Sequence, residues 1–498
     1  MKKLIALLLA VMMLVTLVAC TEKPADTTTK GNEVVNNDNT DPKNDETEGG
    51  NSGEIVTVQW VTSNDEAVDY GTWVKMINDY AGPKIGVNIE MIHVDGDTLK
   101  LMYQTGAEYD IIFAPAGDFV NNVQLGAAAA LEDLLPETPG LTDLIPQYVW
   151  DAVTVDGHIY GVPAYKDVSH SEYYTWTTRY TEEYYPEYTE VHDLQGVLDA
   201  MRTIKDRGLD IGMAYIQKCT DATLPVAFGY DGIPNSDFIG IKYQGGTEYV
   251  SIYEQDDIIA ELEVMDQLYH EGFINQDCYV LDSVSTDEYL LGNAQGWPSA
   301  GKTAWHRFVD EDTLVSQHMF TRVSTDSCRG SIVVINAASK HKLEALKWIE
   351  LVNTDTWVRD MYWHGVEGKH WHYVTDENGE KKIEKLQAED GWTYWAYMYG
   401  TFFVATEEVN GTPWGEIKAL NEEAIPSPAM GFSYAPSDEM MDLQGQLKAI
   451  WDQYAGMIRQ GVDISLRETA MEELYAAGMQ TLIDDINAQF NEWKAAQG

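Results

Sequence analysis

Four kinds of side chain in this sequence invite a chemical reading. His364, His370 and His372 lie close together. A zinc site wants ligands such as the i, i+4 pair that shares one helical face, and neither that spacing nor a fourth ligand accompanies them. No metal is expected. The chain holds 81 Asp and Glu residues. A glycoside hydrolase needs only two carboxylates facing across one bond, so abundance does not argue for one. Cys219, Cys278 and Cys328 lack a C-x-x-C spacing; a Cys219–Cys278 bridge is conceivable, but three buried thiols are expected. G-x-S-x-G, a phosphate loop and G-x-G-x-x-G after the first strand are all missing, so neither an enzyme nor a cofactor is expected. The fourth kind is aromatic: 29 Tyr and 15 Trp stand against 11 Phe. Trp and Tyr join an apolar face to a polar edge. Such rings cover the faces of a sugar while Asp, Glu, Asn and Arg pair with its hydroxyl rim.

Alternating and helical periods supply the elements that would hold these residues. Ile55–Val61 reads as a strand, and Trp73, Met76, Ile77 and Tyr80 repeat at helical spacing. A strand over Val87–Ile92 follows, then a helix capped by Asp97 or Thr98, then a buried strand over Tyr109–Phe113. Strand, helix, strand, helix, strand predicts an α/β lobe with a parallel sheet, whose ligands sit at the carboxyl ends of strands. That edge holds the loops at Asn64-Asp65 and Ala116–Asp118. Val153–Pro163 reads as a hairpin turning at Asp156-Gly157. Helices follow over Leu194–Lys205 and Ile258–Tyr269. Trp297 and Trp305 fall in a Gly-rich loop. Ser331–Asn336 is another buried strand, and Ser339 caps the next helix. A second hairpin turns at Asn378-Gly379, and Trp392–Phe403 forms a helix-like aromatic stripe. The tail is helical, with a capping box at Ser465 and Glu468 and a stop at Gly478.

The charge restricts the partners. At −49 overall, the surface is wrong for phosphate backbones, so no nucleic acid is expected. Lys2 and Lys3 followed by an apolar run from Leu4 to Val18 read as a secretory leader over residues 1–19. Thr21–Gly53 lacks large apolar residues and reads as a flexible tether.

Leu17-Val18-Ala19-Cys20 resembles a bacterial lipobox, in which the cysteine becomes the lipidated first residue. In order along the chain, Tyr109-Asp110-Ile111-Ile112, Ile159-Tyr160-Gly161-Val162-Pro163 and Ile335-Asn336-Ala337-Ala338-Ser339 resemble the first-lobe strand and first two crossovers of the family 1 extracellular solute-binding proteins of bacterial ABC importers, the broad group of maltose-binding protein. Gly365-Val366-Glu367-Gly368-Lys369-His370-Trp371 is similar to the Gly-Ile-Glu-Gly-Lys-(His/Asp)-Tyr signature of a larger lipoprotein subgroup, departing at Val366 and Trp371. Gly431-Phe432, Pro436-Ser437, Gly461-Val462-Asp463, Ala477-Gly478 and Gln489 to Trp493 resemble that subgroup's helical C-terminal extension.

The resemblance implies a two-lobed α/β fold of the type II periplasmic-binding-protein kind, with hinge crossovers and that extension. Lobe 1 would take residues 54–163 and about 335–365, and lobe 2 about 164–334 and 366–498. It implies a monomeric receptor on the outer face of the cell membrane, held only by lipid on Cys20. It would deliver a neutral carbohydrate, such as an oligosaccharide, to ABC permease subunits. A peptide or cationic solute is the alternative, and a surface glycoside hydrolase or glycan adhesin remains open. Ligand-binding residues implied by position are Asn64, Asp65 and Asp118 in strand-end loops and Tyr165 after the first crossover. Trp297 and Trp305 would wall the second lobe. Trp363, Glu367 and His370 lie at the third crossover, and Trp392 and Trp395 in the aromatic stripe.

Overall fold

The computed structural model describes residues 55–114, 116–209, 215–284, 289–303, 313–386 and 391–497. Cys20 and Trp305 lie outside these residues, as does the side chain of Asp118. Strand β1 (Val56–Thr62) runs parallel to both β2 (Val87–His93) and β3 (Ile111–Ala114). Neighbours on both edges and cover on both faces make Val58, Trp60 and Val61 all buried, so the alternation breaks down at the strand's end. Helices α1 (Tyr70–Ile85) and α2 (Gly96–Thr105) make the connections. Asp95, not Asp97 or Thr98, caps α2, its carboxylate accepting from the Thr98 amide at 2.8 Å. Helix α3 (Ala116–Gln124) starts where a loop was expected, directly beyond the end of β3.

The sheet is mixed rather than parallel. Its order is β2-β1-β3, then Ile332–Ile335, then Val162–Pro163. Ile332–Ile335 runs antiparallel to both its neighbours, because the chain re-enters this lobe from the opposite direction. Around the sheet lies an aromatic core in which Trp60, Trp73, Trp348, Tyr362, Trp371 and Tyr399 are fully buried.

A second core surrounds the sheet of Leu291–Gln295, Glu172–Thr177 and Thr313–Gln317. Helices Leu194–Asp206 and Asp256–His270 pack on it, as do the C-terminal helices Asp438–Trp451, Leu466–Ala477 and Met479–Gln497. The Ser465–Glu468 capping box does not form: the Ser465 hydroxyl donates instead to Asp463.

The expected lobe boundaries need correction. Val366, Trp371, Ile383, Tyr394 and Met398 belong to the first core, so the chain does not leave lobe 1 at residue 366. The hairpin of Trp371–Thr375 and Lys381–Lys385 turns Trp371 and Ile383 into that core, and exposing them would forfeit several kcal/mol of burial, on the order of 2 kcal/mol each. Ile335–Ser339 is likewise no crossover. Asn336 Nδ2 donates to the carbonyls of Ala107 and Tyr109, and Ser339 Oγ donates to Asp110 Oδ1, pinning the segment inside lobe 1.

The crossings lie elsewhere and lie together. His170 and Arg322 exchange two backbone hydrogen bonds at 2.7 and 3.0 Å, and Arg322–Val323 runs parallel to Ile425–Pro426. Three crossing segments thus form one small ladder. At its root the Arg322 guanidinium meets Glu172 at 2.9 Å, both side chains buried. This pair ties one crossing to the central strand of the second sheet.

Candidate functional site

The carboxyl edge of β1 and β3 is where a sheet of this kind presents a ligand. The sequence there is Ser63-Asn64-Asp65, and the structure gives its two polar residues different duties. Asn64 is buried, and its side-chain carbonyl accepts from the Trp395 amide at 3.0 Å and from the Tyr399 hydroxyl at 2.8 Å. Its oxygen is therefore committed to holding the 393–399 segment against the sheet. Asp65 is exposed; its carbonyl accepts from Thr393 Oγ1, leaving the carboxylate in solvent at the same edge.

What this clamp displays is a pair of rings. Trp395 is 56 % exposed and Tyr397 37 % exposed, and they stack at 19° with centroids 6.0 Å apart. Tyr397 also meets Phe113, near the end of β3, edge-on at 6.1 Å. The segment is not the expected helical stripe. It is largely irregular, with one 3-10 turn over Ala396–Met398, and Tyr394, Met398 and Tyr399 face the core while Trp395 and Tyr397 face out. Thr401 and Phe402 then donate to the Tyr165 carbonyl in the first crossing segment, so the segment that carries the ring pair is tied to the hinge.

Several of the other sequence-selected residues brace this platform. Trp392 donates its indole N–H to the Tyr362 carbonyl at 3.0 Å and packs on Trp73 and Tyr394. His370 Nδ1 accepts from the Val366 amide at 3.0 Å, which fixes the proton on Nε2, where it meets Asp69 at 3.1 Å. Lys369 reaches the same carboxylate, and its hydrogen bond and charge, with the His370 hydrogen bond, hold Asp69 below the ordinary range. Gly365 closes this knot with φ at 85°; a Cβ there would stand 2.4 Å from His370 Nδ1 and 2.7 Å from the Trp392 ring. Glu367 accepts from the Trp357 indole at 2.7 Å. Trp363 packs between Phe402 and Trp414, with the Arg359 guanidinium over its ring. Tyr165 is buried against Phe403, and burial raises its phenol. These five side chains serve packing and orientation within lobe 1 and the hinge, and the charged signature motif is a structural knot.

In the second lobe Trp297 is half-buried in the loop after Leu291–Gln295, its indole N–H donating to Thr303 Oγ1 at 3.1 Å. Two residues on, the Ser299 amide donates to Glu416 at 3.0 Å. Asp118 lies in the first turn of α3, but its side chain lies outside the described residues. The structure therefore brings together Asn64, Asp65 and Trp395, adds Tyr397, and leaves Trp297 apart in the other lobe. Tyr397 was not singled out from sequence. The i, i+2 spacing of Trp395 and Tyr397 around a small Ala396 is the signal that would have found it, once an extended rather than helical backbone is assumed. Among the described residues there is no cluster of three His, Cys, Asp or Glu side chains placed to hold a metal ion.

The overall fold is shared with known proteins. No family model matches the chain. A carbohydrate ABC transporter substrate-binding protein of Streptococcus pneumoniae is 22 % identical over 442 residues, spanning 84 % of this chain and 86 % of that protein. The crystal structure of an N-glycan transport solute-binding protein, NgtS, from Streptococcus pneumoniae superposes with a TM-score of 0.77 at 20 % identity, covering 90 % of this chain and 100 % of that one. The same protein in complex with Man5GlcNAc superposes less well, with a TM-score of 0.61 over the same 90 % of this chain. The fold is therefore the two-lobed fold of solute-binding proteins.

Proposed function

We propose that this chain is a solute-binding receptor of an ABC importer, capturing a neutral oligosaccharide between its two lobes and passing it to membrane permease subunits. The observation that carries the reading is the accessible Trp395–Tyr397 pair, clamped by Asn64 at the carboxyl edge of the first sheet on a segment tied to the hinge. Two parallel rings in water cost hydrophobic exposure that nothing in the lobe requires, and a sugar face removes that cost. Asp65 supplies a carboxylate for a hydroxyl rim, and Trp297 is the second lobe's candidate wall. The names of the relatives favour a carbohydrate, and the acidic surface disfavours an anionic one. The protein works as a binder, not an enzyme, and as a monomer. The leader, Cys20 and tether read from the sequence support a position on the outer face of the membrane, anchored by lipid alone.

A thermal-shift screen tests this, since a ligand that binds only the folded state raises the melting temperature. Neutral oligosaccharides should shift it and be recovered intact, while peptides and polyamines should not. A shift confined to peptides or polyamines, or cleavage of the sugar, overturns the reading. Cys20→Ser should release the protein from membranes or leave its precursor unprocessed, with ligand affinity unchanged.

A further inference from the structure

A second site lies wholly inside the second lobe, away from the ring platform. A cavity of about 220 Å³ opens between Glu172–Thr177, Leu194–Asp206 and the stretch around Ile216–Thr223. Its walls are chiefly apolar, with Leu194, Val197, Ile216 and Phe228 among them. Thr223, Tyr289 and Asn293 are among the polar residues that interrupt the apolar lining, and two further polar groups there are buried without a partner among the described residues. Tyr174 is 3 % exposed, and its buried hydroxyl has no partner among the described residues. The buried Gln217 Oε1 is equally without a donor. Lys218 contributes its backbone N–H and C=O to Asn275, but among the described residues no carboxylate pairs with its ammonium.

Unpaired buried polar groups are costly, on the order of 1–3 kcal/mol each, and a charged one costs more. Two such groups beside the Lys218 ammonium around one apolar hollow describe a ligand's outline. We infer that this cavity binds a small monocyclic aromatic carboxylate: the carboxylate meets the Lys218 ammonium and the Tyr174 hydroxyl, the ring fills the apolar walls, and a donor on the ring meets Gln217 Oε1. Size agrees: a cavity of about 150 Å³ accepts benzene, so about 220 Å³ accepts a ring with a short acid arm. Burial depresses the Lys218 ammonium and lifts the Glu261 carboxyl to about 7, while the attraction between the two opposes both shifts. Asn293 is exposed and Cys219 partly exposed at the rim, which gives a way in and a reporter.

The test uses the mature wild-type protein with 4-hydroxyphenylacetate as probe and its methyl ester as the uncharged control. Calorimetry should show saturable binding of the acid, with the ester about tenfold or more weaker. In parallel, N-ethylmaleimide labelling followed by peptide mapping should show that the acid, but not the ester, slows alkylation of Cys219. Cys278 and Cys328 are internal references, being buried with thiols pushed up to about 11 and about 12. Lys218→Met should reproduce in the acid what the ester shows in the wild type. No calorimetric binding at about 1 mM probe, equal effects of acid and ester, or undiminished binding to Lys218→Met overturns the assignment. The ester comparison stands even if that variant does not fold.

Discussion

Replacing Trp395 by alanine separates recognition from folding. A whole tryptophan offers about 250 Å², and with 56 % of Trp395 exposed about 140 Å² remains open to a ligand. A sugar face covering half to all of that area removes about 70–140 Å² from water, worth about 2–3.5 kcal/mol at about 25 cal/mol/Å². Ordering of ligand and side chain reduces this to about 1–3 kcal/mol, a loss of about fivefold to 150-fold in affinity. The fold should hardly notice. The hydrogen bond to Asn64 comes from the backbone amide, which alanine keeps, so stability should change by no more than about 0.5 kcal/mol. Titration calorimetry with the best oligosaccharide from the screen, beside a denaturant melt of each protein, reads both quantities. Tyr397→Ala and the double variant complete a cycle, and because the rings stack, their losses should not add. Unchanged affinity in Trp395→Ala and Tyr397→Ala alike would refute the platform as the sugar-binding face.

Asn64→Ala should do the reverse of Trp395→Ala. It strips the acceptor from the Trp395 amide and from a buried hydroxyl, so about 1–3 kcal/mol of stability goes in a denaturant melt, and sugar affinity falls with it. Gly365→Ala should cost more than about 3 kcal/mol, seen as a lowered melting temperature, since a Cβ collides with His370 and Trp392 at positive φ. Glu172→Gln leaves the buried Arg322 guanidinium without its charge partner at the hinge and should destabilise by about 3–5 kcal/mol in the same assay. His318 sets an acid limit. Its Nε2 proton is given to Asn293, its bare Nδ1 is buried without a partner, and burial holds it down to about 3. The folded state thus refuses a proton that the unfolded chain takes at about 6.5. Stability should be full above that pH and fall as pH drops toward about 3, by at most about 1.4 kcal/mol per unit for this one group. The stability difference between His318→Gln and the wild type, read from urea melts between pH 7 and pH 4, should grow toward acid; a constant difference would remove His318 as the cause.

The first lobe was largely legible because its signals are local. The strand of Val56–Thr62, the α1 face of Trp73 and Ile77, and the Asp156-Gly157 turn each rest on a period or a backbone preference read within a few residues. The crossings were not legible, because a crossing is defined by which core its neighbours choose. Trp371 and Ile383 would suit either lobe by composition, and only three-dimensional packing assigns them to the first. The aromatic stretch failed for a related reason. Tyr394, Trp395, Tyr397 and Tyr399 suggest a packed helical stripe, yet the acceptor that sorts them is Asn64, more than 300 residues away along the chain. The same distance explains the signature motif: His370 looks like a ligand residue until Asp69 and the Val366 amide account for both its nitrogens.

The ladder that joins His170, Arg322 and Ile425 carries a mechanical consequence. Three separate cords would let the two halves twist, slide and splay. Laced side by side, they act as a strap, which folds readily across its flat and resists distortion within its plane. Opening then has a single coordinate, and the molecule becomes a caliper: whatever lodges between the jaws is converted into one angle. Spin labels on the two lobes should report that angle stepping with the length of the bound oligosaccharide, and a broad spread of distances at saturation would mean that the strap does not hold. A transporter reading the angle would be measuring its cargo without touching it.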